Sequence, residues 1–183
     1  MDQQDAHPRS RFFDRMMGAA RLNADLYEEV EADRGATGQA LVVVLLASAA
    51  AGIGGIGNHG VSGILWHAIV QVTLWYVWAY ITYFVGTRFL PTSETHATHG
   101  ELLRTIGFSS APGVLRVLGV ATPIAGPVFA ICAVWMLVAM IVAVRQALDY
   151  RSTLRAVAVC AIGFPVYALG QMISILLLGP WPI

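Results

Sequence analysis

The sequence predicts an all-α integral membrane protein, with five transmembrane helices preceded by a short cytoplasmic amphipathic helix. Apolar residues make up 57% of its 183 residues and charged residues only 12%, about half the charged share of an average soluble domain. The eleven basic residues, all arginine, balance the eleven acidic ones. This composition excludes a disordered chain and an ordinary soluble enzyme, and the balanced charge gives no indication of a nucleic-acid partner.

Residues 1–37 are predicted to be a cytoplasmic segment that contains one amphipathic helix. Apolar residues recur at helical spacing from Phe13 to Val30, and charged residues lie between them. The helix is basic in its first half and acidic in its second half. Two interpretations are open: a solvated face whose charges neutralise one another, or a docking surface for a partner.

Three charge-free runs contain four of the predicted spans. The first run holds 53 residues between Arg34 and Arg88, and two runs of 28 residues follow at 117–144 and 156–183. Because a span needs about 20 residues, the first run holds two spans and each of the others holds one. Turn residues, such as those at 58–63, divide the runs into spans at 38–57, 64–86, 124–144 and 156–178. The transmembrane domain therefore occupies residues 38–183.

The remaining apolar segment, 106–121, is short and contains Pro112, three glycines and Arg116. We expect a tilted or broken span here, with a re-entrant or interfacial segment as the alternative. The positive-inside rule favours a crossing, because five crossings put ten of the eleven arginines on one side. We expect a protein of the cell (inner) membrane, and the same rule predicts that its N-terminus lies in the cytoplasm and its C-terminus outside.

Polar residues inside predicted spans are functional candidates by default. His67 is either a hydrogen-bonded interfacial histidine or a cofactor ligand. Arg116 either extends to the outer head groups or faces a bundle interior with Gln71, Gln171 and a carbonyl that Pro165 frees. The second arrangement of Arg116 would provide a path for an anion or another substrate.

No catalytic, cofactor-binding or metal-binding residue is predicted. His96 and His99 lie near Glu94 and Glu101, but both cysteines of the chain fall inside predicted spans and cannot complete a zinc site with them. The glycine run at 52–57 matches GxGxxG, but it closes a membrane helix and lacks the strand of a dinucleotide site. We therefore expect no enzyme and no cofactor.

The order of segments resembles the Yip1-domain family of small five-span membrane proteins, and its prokaryotic members above all. The resemblance covers roughly residues 14–178. It rests on the segments 26–33 and 36–40 before the first span, 101–108 followed by Ala111 and Pro112, Trp135, and 145–149. It implies a cytoplasmic N-terminus, five helices and a non-catalytic role in partner binding or membrane organisation.

Three function hypotheses follow. The first is a non-enzymatic adaptor or membrane-organising protein that binds a membrane protein, a cytoplasmic protein or a second copy of itself. Its docking candidates are charged or aromatic residues of the cytoplasmic segments: Tyr27, Glu28, Glu29, Asp33, Arg104 and Arg145. The second is a small transporter or channel component with Arg116, Gln71 and Gln171 along its path. The third is an accessory subunit of a bioenergetic or pigment complex that uses His67.

Overall fold

The computed structural model describes residues 8–54, 60–120 and 122–178, and all regular structure in these ranges is helical. The α-helices are α1 (Pro8–Ala20), α2 (Ala24–Ala32), α3 (Ala36–Gly54), α4 (Gly60–Arg88), α5 (His99–Phe108), α6 (Ala125–Ala147) and α7 (Thr153–Leu178). A 3-10 helix of ten residues, Ala111–Val120, follows α5, and we call it the 3-10 segment. A single 3-10 turn at Thr122–Ile124 leads into α6.

Within the described ranges, α3, α4, α6 and α7 are the four helices long and apolar enough to cross a membrane. Each carries large apolar side chains that are exposed, among them Val42, Ile69, Val134 and Ile162. Such surfaces are rare on soluble proteins and suit contact with lipid. The prediction of an all-helical chain with membrane-spanning helices is confirmed at this level.

Several helix boundaries differ from those predicted. α4 begins at Gly60, so residues 60–63 belong to the helix and not to a turn. The rest of that turn, residues 58 and 59, lies outside the described residues, as do residues 55–57 of the glycine run. α6 continues to Ala147 and α7 already begins at Thr153. The added turns contain Arg145 and Arg155, which a helix end can accommodate because arginine side chains extend their charged groups beyond the apolar layer.

The segment predicted at 106–121 is not a regular α-helical span. It begins in the last turn of α5 and continues in the 3-10 segment as far as Val120, while Ala121 lies outside the described residues. Pro112 has no backbone N–H and clashes with an α-helical turn before it, which ends α5. A 3-10 helix rises about 2.0 Å per residue, so ten residues reach about 20 Å.

This segment runs parallel to α3 and packs closely against it. Three contact pairs follow one another along the two chains: Gly107–Ala40, Gly113–Ala47 and Gly119–Gly54. A Cβ atom at position 107 would lie 2.7 Å from that of Ala40, which is closer than two carbon atoms can approach. Small residues therefore bring the two backbones together, as they commonly do between membrane helices.

The chain before α3 forms two helices and not the single amphipathic helix predicted. Leu22 has a φ of 62°, a left-handed conformation that interrupts an α-helix. Asn23 then caps α2 by accepting a hydrogen bond from the backbone N of Asp25. Leu26 of α2 lies against Gly18 of α1. We call α1 and α2 the N-terminal hairpin. The long helices α3, α4, α6 and α7 form the bundle, and we call the end of the bundle beside the hairpin the proximal end.

Two arginines fasten this hairpin to the rest of the molecule. Arg15 donates to Glu29 at 3.0 Å and to Gln39 at 2.9 Å. It also pairs with Asp33 at 2.8 Å, and this bond lowers the pKa of the Asp33 carboxyl. Buried Arg104 donates to the backbone oxygens of Val30 and Glu31, so it satisfies carbonyls that the end of α2 leaves unpaired.

A tryptophan of a long helix holds the other end of the hairpin. The indole Nε1 of Trp135 on α6 donates to the backbone oxygen of Ala20, the last residue of α1, at 2.7 Å. Ala19 and Val30 are completely buried, and they pack with Val43 of α3 and Phe108 of α5 in one apolar cluster. The hairpin is therefore part of the folded core.

Glu31 is expected to make stability depend on pH. Burial, with smaller contributions from Asp149, Glu101 and Glu28, raises its pKa from 4.5 to about 7. Between those values the folded state binds more protons than the unfolded state, so the free energy of unfolding falls as pH rises. Glu31→Gln should remove this fall and add about 1–2 kcal/mol at about pH 8, measured by unfolding in detergent over a pH series.

The exposed Asp14 provides the matched control for this experiment. Asp14→Asn should leave the profile within about 0.5 kcal/mol of wild type at every pH. Identical pH profiles for wild type and Glu31→Gln would contradict the assignment.

Candidate functional site

A cavity of about 390 Å³ lies between the long helices, within the range of about 300–1,000 Å³ that small-molecule sites occupy. Residues of α3, α4, α5, the 3-10 segment, α6 and α7 line it. Most of its wall is apolar, and Leu74 and Trp75 of α4 and Met136 and Met140 of α6 are among the lining residues. The cavity is thus built by elements that are distant in the sequence.

The polar residues singled out from the sequence gather at this cavity. His67, Gln71 and Arg116 line it, and the side-chain amide of Gln71 lies 3.5 Å from Nε2 of His67. Gln171 does not line it, but donates at 2.8 Å to the hydroxyl of Tyr167, which does. The structure therefore brings together residues from α4, the 3-10 segment and α7.

Arg116 reaches the cavity because the 3-10 segment lies so close to α3. Its backbone oxygen touches Gly54, the last residue of α3, at a place where any Cβ atom would collide with it. Its Cζ atom lies 5.6 Å from the ring centroid of Phe129, within the range of a cation–π contact. Its Nε is buried and has no hydrogen-bond acceptor among the described residues.

Trp78 carries a second buried N–H group without an acceptor within the described ranges. The side chain lines the cavity and is only 4% exposed, and its Nε1 has no acceptor in the described part of the chain. By contrast, Nε1 of Trp75 donates to the backbone oxygen of Leu103 at 3.0 Å. His67, Gln71, Trp75 and Trp78 follow one another at helical steps, and this pattern is the signal by which Trp78 could have been found from the sequence.

The cavity opens sideways, between α6 and α7. Val134 and Leu137 of α6 and Phe164 of α7 line it, yet their exposed fractions are 64%, 46% and 56%. Side chains that face both the cavity and the outer surface mark an opening between them. The exposed faces of these two helices beside the opening are apolar.

The predicted docking residues lie mainly in contacts within the chain. Tyr27 is completely buried and its hydroxyl donates to the backbone oxygen of Ala19 at 3.2 Å, while Arg104, Glu29 and Asp33 hold the hairpin as described above. Nε of Arg145 donates to the backbone oxygen of Tyr150 at 3.2 Å. Glu28 is exposed and accepts from Gln146 at 2.8 Å. Of the six candidates, Glu28 and Glu29 are exposed, and the carboxylate of Glu29 is paired with Arg15.

The histidines and glutamates of the loop after α4 lie in separate contacts. Glu94 pairs with Arg151, and Glu101 forms the capping box at the start of α5. The ring of His99 packs edge-on against tyrosines of α4, at 4.9 Å from Tyr76. Among the described residues, no group of three or more potential metal ligands is present.

The position of Arg116 is expected to depend on glycine at position 54. Gly54→Ala should push the 3-10 segment away from α3 and cost about 1–3 kcal/mol of stability. Gly38, on the same helix, has no atom within 4 Å of the place that a Cβ atom would take, so Gly38→Ala should be neutral or stabilising by up to about 1 kcal/mol. Thermal unfolding followed by circular dichroism compares the two. Equal losses in both variants would argue against the close contact.

Comparisons of the chain with family models, with curated proteins and with solved structures find no match.

Proposed function

We propose that the protein is a non-enzymatic, multi-pass membrane protein that binds an apolar or amphipathic molecule in the cavity between its spans. One observation carries the proposal: a cavity of about 390 Å³ has mostly apolar walls, a few convergent polar groups and exposed apolar side chains of α6 and α7 at its edge. Ligand sites in proteins combine these features. The proposal develops the transporter hypothesis, while a role for His67 in a pigment or bioenergetic complex stays a prediction.

The walls suit an acyl chain or a molecule of similar shape. Leu74 and Trp75 provide one apolar side and Met136 and Met140 the other, and methionine side chains adapt to the shape of what they contact. A molecule dissolved in the bilayer can reach these residues past Val134 and Phe164. Access therefore needs no passage through water.

The proposal includes five crossings in the cell membrane, with the N-terminus in the cytoplasm. The four long helices account for four of these crossings. α5 and the 3-10 segment would form the fifth, because together they lie along α3 from Ala40 to Gly54, which is most of the length of α3. α6 then returns beside the 3-10 segment, since Phe129 touches Gly119 and Met136 touches Gly113. An odd number of crossings keeps the arginine-rich segments on one side.

Occupation of the cavity is tested with stearate that carries bromine on its chain. Bromine quenches tryptophan fluorescence at contact, and both Trp75 and Trp78 line the cavity. Ala133→Trp places an indole at the opening and should weaken saturable quenching at least about tenfold. Ala130 is exposed on the same helix and does not line the cavity, so Ala130→Trp should bind like wild type. Quenching that rises without saturation in all three proteins would reject the cavity as a binding site.

The Yip1-like adaptor is a second candidate, favoured by the orientation of α2. Leu26, Tyr27 and Val30 face the core, whereas Asp25 and Glu28 are exposed. The helix therefore presents acidic groups outward from a hairpin that Arg15 and Arg104 hold in place. A basic surface of a membrane or cytoplasmic protein, or of a second copy, fits this face.

Charge reversal on this face tests the adaptor. Asp25→Lys combined with Glu28→Lys should weaken a stoichiometric partner association in native membranes about tenfold or more, measured by quantitative cross-linking. Asp14→Lys reverses another exposed carboxylate on α1 and should leave the association unchanged. Full association of the double variant would remove α2 as the docking surface.

A further inference from the structure

We propose that the cavity selects a single-chain amphiphile with an anionic head group, which Arg116 binds while the acyl chain lies along the apolar walls. The inference rests on the proposed function, because it assigns the ligand class of the same cavity. Three properties of the described residues support it: the charge of the lining, the type of its unpaired atoms, and the place of the charge along the cavity.

The lining carries a positive charge that acidic residues do not balance. Among the described lining residues, Arg116 is the formal cation and none is aspartate or glutamate. A charged side chain at membrane depth is costly unless it is paired. The ring of Phe129 compensates part of that cost, and an anionic ligand would compensate much more. Arg116 would repel a cationic ligand, and a neutral ligand would leave the charge of the guanidinium unpaired.

The unpaired polar atoms of the lining are donors. Nε of Arg116 and Nε1 of Trp78 are both buried N–H groups without acceptors among the described residues. A ligand group that satisfies Nε of Arg116 must bring oxygen or nitrogen lone pairs, while Nε1 of Trp78 lies further along the cavity, beside the acyl chain. Carboxylate and phosphate oxygens suit a guanidinium best, because they accept charge-assisted hydrogen bonds from its planar fork.

The charge lies at one end of an elongated cavity. Arg116 is beside the last residue of α3 and against Phe129 near the start of α6, at the end of the bundle opposite the hairpin. Trp78 and Met140 lie further toward the proximal end. His67 and Trp78 are eleven residues apart on α4, or about 16 Å along the helix. One charged end and a remainder lined mostly by apolar side chains match a single-chain amphiphile with its tail directed toward the proximal end.

The test compares brominated stearate with its methyl ester, which has the same chain and no charge. Quenching is measured in nanodiscs at a pH where the carboxyl group is ionised. Wild type should bind the acid about tenfold more tightly than the ester. Arg116→Gln should abolish that preference, and Arg116→Lys should retain most of it.

The outcomes separate this inference from the proposed function. Equal affinity of wild type for acid and ester, with quenching that Ala133→Trp still blocks, would overturn the anionic head group and leave the cavity as a binding site. Absence of saturable quenching by either probe would overturn both. Displacement of stearate by excess inorganic phosphate would assign the site to a free anion and overturn the amphiphile. The wild-type comparison decides the matter even where Arg116→Gln fails to fold.

Discussion

The close contact between α3 and the 3-10 segment is the constraint on which the rest of the structure depends. In the proposed five-span arrangement the segment lies at membrane depth, where backbone that is not α-helical needs protein or a cavity beside it. Here α3 covers one side of the segment and α6 another, and glycines at 54, 113 and 119 make room for both. That contact fixes the backbone of Arg116 and so places a cation in the wall of the cavity.

The N-terminal hairpin shows a different use of arginine. Arg15 and Arg104 are nearly buried, and their donors reach carboxylates, an amide oxygen and helix-end carbonyls. Removing one partner from such an arrangement leaves a buried charge uncompensated and costs far more than an exposed pair is worth. The exposed pair of Arg151 and Glu94 contributes little by the same comparison. The charged side chains at the proximal end therefore serve mainly in contacts within the chain.

The sequence predicted the helical class and the four long helices because apolar length is a local property. It also predicted an irregular third segment, since Pro112 and Gly113 act on the backbone near them. The hairpin was not predicted, because the apolar residues on both sides of Leu22 face one common core and their spacing continues through the turn. Whether Glu29 or Arg104 pairs inside the chain or with a partner depends on neighbours distant in sequence. The helical spacing from His67 indicates the face on which Trp78 lies, but its unpaired N–H is defined only by what surrounds it.

The conformation of the 3-10 segment couples backbone length to the position of a charge. Ten residues in a 3-10 helix are about 5 Å longer than ten in an α-helix, and the side chains also change their angular positions between the two forms. Arg116 lies in the second half of this stretch, so each turn that tightened or relaxed before it would shift the guanidinium along α3 and rotate it about the segment's axis. In the proposed five-span arrangement, a small local change of pitch would thus change the depth of this cation in the membrane.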